Sequence, residues 1–178
     1  EAGPAGKRAL RLAALSFLTR RDGGTAAKAA FAQACNMTES FGALAILLEN
    51  NYGDQELAEF GSRWQADRLV MDKWFAVQVA MAAPDAAAAT VSRLTARPDF
   101  AMKNPNRFRA VLGALTANHA GFHHDSGAGY TTLADWLIRL DPLNPQTAAR
   151  MSTAFETWPR YDADRQQMIR AELSRILA

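Results

Sequence analysis

The chain has 178 residues, of which 49% are hydrophobic and 21% charged, with a formal net charge of only +2. That length and apolar content suffice for a sizeable core and exclude global disorder. The charge is too small and too evenly mixed for the basic stripe of a nucleic-acid binder, and no apolar run reaches the ~18 residues of a membrane span.

Helical periodicity covers nearly everything, and strand alternation and hairpin signals are missing. The spacing predicts helices near 5–20, 25–35, 38–50, 54–65, 68–82, 85–96, 105–117, 130–140, 145–157 and 162–177. The first ends at Asp22-Gly23-Gly24, because glycine accepts a left-handed exit. Cys35, the only cysteine, cannot form an internal disulfide. Between Ala34 and Asn36 it reads as a small buried apolar residue, and its solitude suits a reducing cytoplasm.

Asn50-Asn51-Tyr52-Gly53 ends the third helix, and Asp54 is placed to cap the fourth. Asp67 caps the fifth, whose buried stripe is Val70, Met71, Trp74, Phe75 and Gln78. Trp64, Trp136 and Trp158 also fall at helical spacing with aliphatic residues and read as core. Pro84-Asp85 opens the sixth helix, and Arg97-Pro98-Asp99 is a turn, because the residue before proline resists helix.

Asn104-Pro105 and Asn144-Pro145 are matched helix starts. The asparagine caps free amides, and proline at the first helical position forfeits no hydrogen bond. In the first of these helices Phe108, Val111, Leu112 and Leu115 mark the buried face, and Asn106, Arg109 and Gly113 form the neighbouring row. In the second, Gln146 and Arg150 are one turn apart. Two guanidinium forks near helix starts suit a carboxylate or a peptide carbonyl. The Asp125–Gly129 segment reads as a flexible loop, and Thr157-Trp158-Pro159 closes the penultimate helix.

All three histidines lie between residues 119 and 124. His119 and His123 have the separation that lets two imidazoles share a zinc ion on one helix. The catalytic version needs Glu after the first His, and here Ala120 stands there. His123-His124-Asp125 reads as a surface loop, and no metal site is assigned. Gly-x-Ser-x-Gly elbows and phosphate loops are absent from the sequence, so no catalytic residue is nominated.

Short helices joined by tight turns imply antiparallel pairs stacked side by side. The expected fold class is all-α, an irregular helical solenoid or superhelix forming a single domain over residues 1–178.

Three phrases carry a family resemblance: DRLVMDKWF at 67–75, FAMKNPNRFRAVLGAL at 100–115 and YDADRQQMIRAEL at 161–173. The chain resembles the C-terminal helical domain of bacterial aminopeptidase N, a zinc-dependent gluzincin family, most closely over residues 54–178. Before residue 51 only the helical pattern is compatible.

The resemblance implies a helical superhelix lying against a catalytic domain of the same polypeptide. That domain would carry the zinc and remove N-terminal residues from peptides. Its His-Glu-x-x-His helix and Gly-x-Met-Glu-Asn loop are not in this sequence. By the same resemblance Asn106, Arg109, Gln146 and Arg150 line a substrate chamber, where they shape access without breaking bonds. The implied partners are the catalytic domain and peptide substrates, with no nucleic acid and no membrane, in the cytoplasm. A chain that starts at Glu1 without an initiator Met reads as an excised piece. The alternative is a free-standing helical-repeat adaptor that binds another protein.

Overall fold

The computed structural model describes residues 2–178, with side chains from Pro4 onward. Glu1, where the sequence reading placed a cut, lies outside the described residues. Helix accounts for 76% of the chain, and no strand occurs among the described residues, so the all-α expectation holds. Cα packing divides the chain into two compact units, one ending at Val77 and the other spanning Gln78–Ala178.

The first unit contains α1 (Ala2–Asp22), α2 (Thr25–Gln33), α3 (Met37–Glu49), α4 (Asp54–Trp64) and most of α5 (Arg68–Ala80). Gly23 and Gly24, at φ 65° and 87°, make the turn between α1 and α2. There Asp22 accepts from the amides of Gly24 and Ala26. Both α2 and α3 pack on α1. Phe31, Leu44, Leu47 and Phe60 are buried at its core. The indole N–H of Trp74 donates to Leu57 O at 2.9 Å and ties α5 to α4.

The stripe read for α5 holds, because Val70, Met71, Trp74, Phe75 and Gln78 are all buried. Asp67 caps the helix by accepting from the amides of Leu69 and Val70.

Some local expectations are corrected. Asp54 is the first helical residue, and the cap position belongs to Gly53, with no side-chain cap bond. The carboxylate of Asp54 acts instead through the first-turn dipole. Cys35 is exposed, not buried. The chain leaves α2 in extended conformation at Ala34, which turns the thiol outward, 3.5 Å from Gln33 O. Trp64, Trp136 and Trp158 are half-buried at the edges of the packing.

The second unit contains α6 (Ala87–Thr95), then a helical stretch from Pro105 to Phe122. That stretch is α7 (Pro105–Phe108), a π-helical turn (Arg109–Gly113), α8 (Ala114–Ala117) and α9 (His119–Phe122). There follow α10 (Ala128–Leu140), α11 (Pro145–Ser152), two 3-10 turns and α12 (Ala163–Leu177). Helix α10 packs against α6, α11 and α12. Its inward face of Tyr130, Leu133 and Leu137 meets a core that includes Leu94, Phe108, Leu112 and Phe122.

The segment read as a flexible loop at 125–129 is a pinned turn. The Ser126 hydroxyl pairs with His124 Nδ1 at 2.9 Å, and Gly127, at φ 70°, leads directly into α10. The helix starts earlier than the spacing suggests because Gly129 can lie flat on the backbone of Phe122. A Cβ there would come within 2.5 Å of Phe122 O.

Candidate functional site

The paired Asn-Pro starts form as expected. Asn104 Oδ1 accepts from the Asn106 amide and Asn144 Oδ1 from the Thr147 amide, each at 3.0 Å. Phe108, Val111, Leu112 and Leu115 are fully buried and fix the rotation of their helix. That rotation leaves Asn106 and Arg109 exposed. Arg109 is held along its own helix, with Nε donating to Pro105 O at 3.1 Å and Nη2 to Asn106 Oδ1 at 2.7 Å.

Arg109 also begins the π-helical turn. Such turns insert an extra residue and occur often at functional positions. A Cβ at Gly113, the last residue of that turn, would meet nothing within 4 Å, so the row faces open space. On α11, Ala148 turns inward while Gln146 and Arg150 stay exposed. The structure thus joins Asn106 to Arg109. It places Arg150 in a cleft that Asn106, Arg109 and Gln146 do not line.

That cleft, of about 410 Å³, opens between the α8–α9 corner and the 150–161 segment. Asn118 builds the corner. Its Oδ1 accepts from the Gly121 amide, and its Nδ2 donates to Val79 O and Ala82 O at 3.0 and 2.9 Å. Gly121 packs so close to Ala87 that an added Cβ would lie 2.5 Å from the Ala87 Cβ.

His123, expected from the sequence in a surface loop, lines the cleft. The imidazole is half-buried between two tyrosines. Nδ1 lies 2.9 Å from the Tyr130 hydroxyl and Nε2 2.8 Å from that of Tyr161. Its ring stacks on Tyr161 with centroids 4.0 Å apart. Arg165 Nε donates to the His123 carbonyl at 2.7 Å.

Burial, and then the charges of His119 and Arg165, lower the His123 pKa to about 4. The ring is therefore neutral at neutral pH, donating from one nitrogen and accepting at the other. Burial likewise raises Tyr130 to about 12, so it stays a phenol. Tyr161 lies 38 residues from His123 in sequence, and no local spacing signals that pairing.

These donors do not fit a zinc ion. The His119 and His123 rings are parallel with centroids 6.3 Å apart. Both nitrogens of His123 are engaged by tyrosines, and a metal ligand must present a free lone pair. Among the described residues no group of three or more His, Cys, Asp or Glu could hold a metal.

Arg150 and Arg160 both line the cleft, with His119 and Thr157, and no Asp or Glu does. Neither guanidinium has a hydrogen bond or ion pair among the described residues. By contrast, Arg165 pairs with Asp162 and Arg175 with Glu172, each at 2.7 Å. The first unit has its own groove, of about 310 Å³, lined by Arg8, Arg11, Leu12, Cys35 and Glu39 among others. There Arg11 is already paired with Glu39 at 3.2 Å. No helix among the described residues is long and apolar enough to cross a membrane.

Comparison with known proteins gives this geometry its context. The family model described as "Domain of unknown function (DUF3458_C) ARM repeats" matches residues 1–178. Aminopeptidase N of Caulobacter vibrioides is 39% identical over 184 residues, covering 100% of this chain and 21% of that protein. Aminopeptidase N of Escherichia coli is 37% identical over 176 residues, covering 96% of this chain and 20% of that protein. A crystal structure of Legionella pneumophila aminopeptidase A in complex with aspartic acid superposes with a TM-score of 0.90 at 34% identity. It covers 97% of this chain and 21% of that one. The chain thus spans about a fifth of the length of the relatives it matches. Matched over its whole length by that family model, and by the C-terminal part of these enzymes, the chain belongs to the ARM-repeat family that forms the C-terminal domain of aminopeptidase N.

Proposed function

We propose that residues 1–178 act as one non-catalytic domain of a zinc aminopeptidase, in which the catalytic part of the same polypeptide removes N-terminal residues from peptides. The observation that carries this reading is coverage: the match takes in all of this chain but only 21% of the Caulobacter enzyme. A cytoplasmic setting belongs to the same proposal and rests on the single cysteine.

Within it, Asn106, Arg109, Gln146 and Arg150 line the substrate chamber and limit entry to short peptides or flexible ends. Their exposure, the prepositioning of Arg109 by Asn106, and the open space beside Gly113 support that role. Arg109→Ala and Arg150→Ala in the full-length polypeptide test it. Each variant should lower kcat/KM for tri- and tetrapeptides roughly ten-fold while changing turnover of single amino-acid anilides little, because only longer substrates extend that far. Equal effects on short and long substrates would remove the chamber role.

A further inference from the structure

We propose that the cleft between the α8–α9 corner and the 150–161 segment is a carboxylate site, in which Arg150 and Arg160 receive the C-terminal carboxylate of a short peptide. Arg150 and Arg160 line one pocket, no acidic residue lines it with them, and neither guanidinium has a hydrogen bond or ion pair among the described residues. The nearest acid in sequence to Arg160, Asp162, is already committed to Arg165 at 2.7 Å. Like charges left together in a concave, partly apolar site repel, and a bound anion relieves that repulsion. Planar guanidinium forks match a carboxylate in particular.

The rest of the pocket suits a peptide end better than a free ion. Met151 and Ala154 add apolar residues to the lining of the cleft, and Thr157 adds a polar one. Thr116 and Thr153 also border the cleft, but their hydroxyls already donate to Gly113 O and Arg150 O, at 3.0 and 2.8 Å. His123, which also lines the cleft, is bonded on both sides by Tyr130 and Tyr161 and through its carbonyl by Arg165. The bond to Tyr161 ties the Arg160–Tyr161 segment to the corner before the ligand arrives, which lowers the ordering cost of binding.

This inference takes its ligand from the peptidase reading, but its test does not. The 178-residue chain is titrated with N-acetyl-trialanine and with the C-terminal amide of the same peptide, followed by amide shifts in NMR. The acetyl group removes the ammonium, so only the carboxylate differs. The acid should bind at least about ten-fold more tightly than the amide, and more weakly as salt rises. Its shifts should gather on Thr116, His119, Thr157 and Arg160.

Arg150→Met and Arg160→Met should each weaken the acid at least about five-fold and leave the amide unchanged. Arg68→Met, on an exposed residue of the first unit, should change neither. Far-UV spectra of the variants confirm that the helices are retained. Equal binding of acid and amide, absence of binding, shifts outside the cleft, or an Arg160→Met chain with wild-type affinity would each overturn the site. Kinetics in the full-length polypeptide that ignore peptide length would sink the chamber reading instead, and would leave these binding results standing.

Discussion

The tyrosine clamp on His123 can be probed by comparing the wild-type chain with His123→Gln as the pH is lowered from about 7 to about 4. Glutamine keeps an amide that can bond one tyrosine but removes the titrating ring. In the folded chain burial, and then the charges of His119 and Arg165, lower the imidazole from 6.5 to about 4. Between those values the unfolded chain binds the proton and the folded chain does not. Stability therefore rises with pH across that window and is lost as the pH falls through it. The interval, 6.5 minus about 4, would correspond to roughly 3 kcal/mol if fully expressed. The ring is only half-buried, so solvent screening reduces the expected loss to about 1–2 kcal/mol.

Urea unfolding at a series of pH values measures the effect. The stability of wild type minus that of His123→Gln should fall by this amount between about pH 7 and about pH 4, while shared carboxylate effects cancel. A difference that stays constant would refute the reasoning. So would an NMR titration in which the His123 ring protonates near the ordinary histidine value of about 6.5.

Phe108→Ala should cost ~3–5 kcal/mol in urea unfolding, because the ring is fully buried and meets Trp136 edge-on at 6.3 Å. A loss below about 1 kcal/mol would mean that the helix is not anchored through this residue. Two glycines should respond oppositely to alanine. At Gly129 a Cβ would meet the Phe122 backbone, O at 2.5 Å and Cα at 2.8 Å, which cannot rotate away. Gly129→Ala should therefore lose roughly 1–3 kcal/mol or more in the same assay. At Gly113 the Cβ enters open space in helical backbone, and Gly113→Ala should gain about 0.5–1 kcal/mol.

The features legible in the sequence are those set within one or two helical turns. The Asn104 and Asn144 caps, the double-glycine exit after Asp22 and the buried row from Phe108 to Leu115 all depend on neighbours a few residues away. Local spacing therefore determines them. Local reading failed where a residue's surroundings come from elsewhere. Nothing local to Gly121 signals its neighbour, yet an added Cβ there would lie 2.5 Å from the Ala87 Cβ of another helix. Cys35 looked buried among alanines, but the chain leaves its helix one residue earlier and turns the thiol out.

The cleft shows the same division most clearly. Residue spacing alone settled most of the helices and the Asn104 and Asn144 caps, and three phrases carried the family. Spacing also put Arg150 one turn from Gln146 on a helix flank. That Arg150 shares a pocket with Arg160, over a neutral His123 bonded to Tyr130 and Tyr161, was decided by tertiary packing. Periodicity tells which face of a helix turns outward, but not which other segment comes to stand beside it. The protonation of His123 depends on desolvation and on charges brought near by folding, and those exist only once the helices are packed.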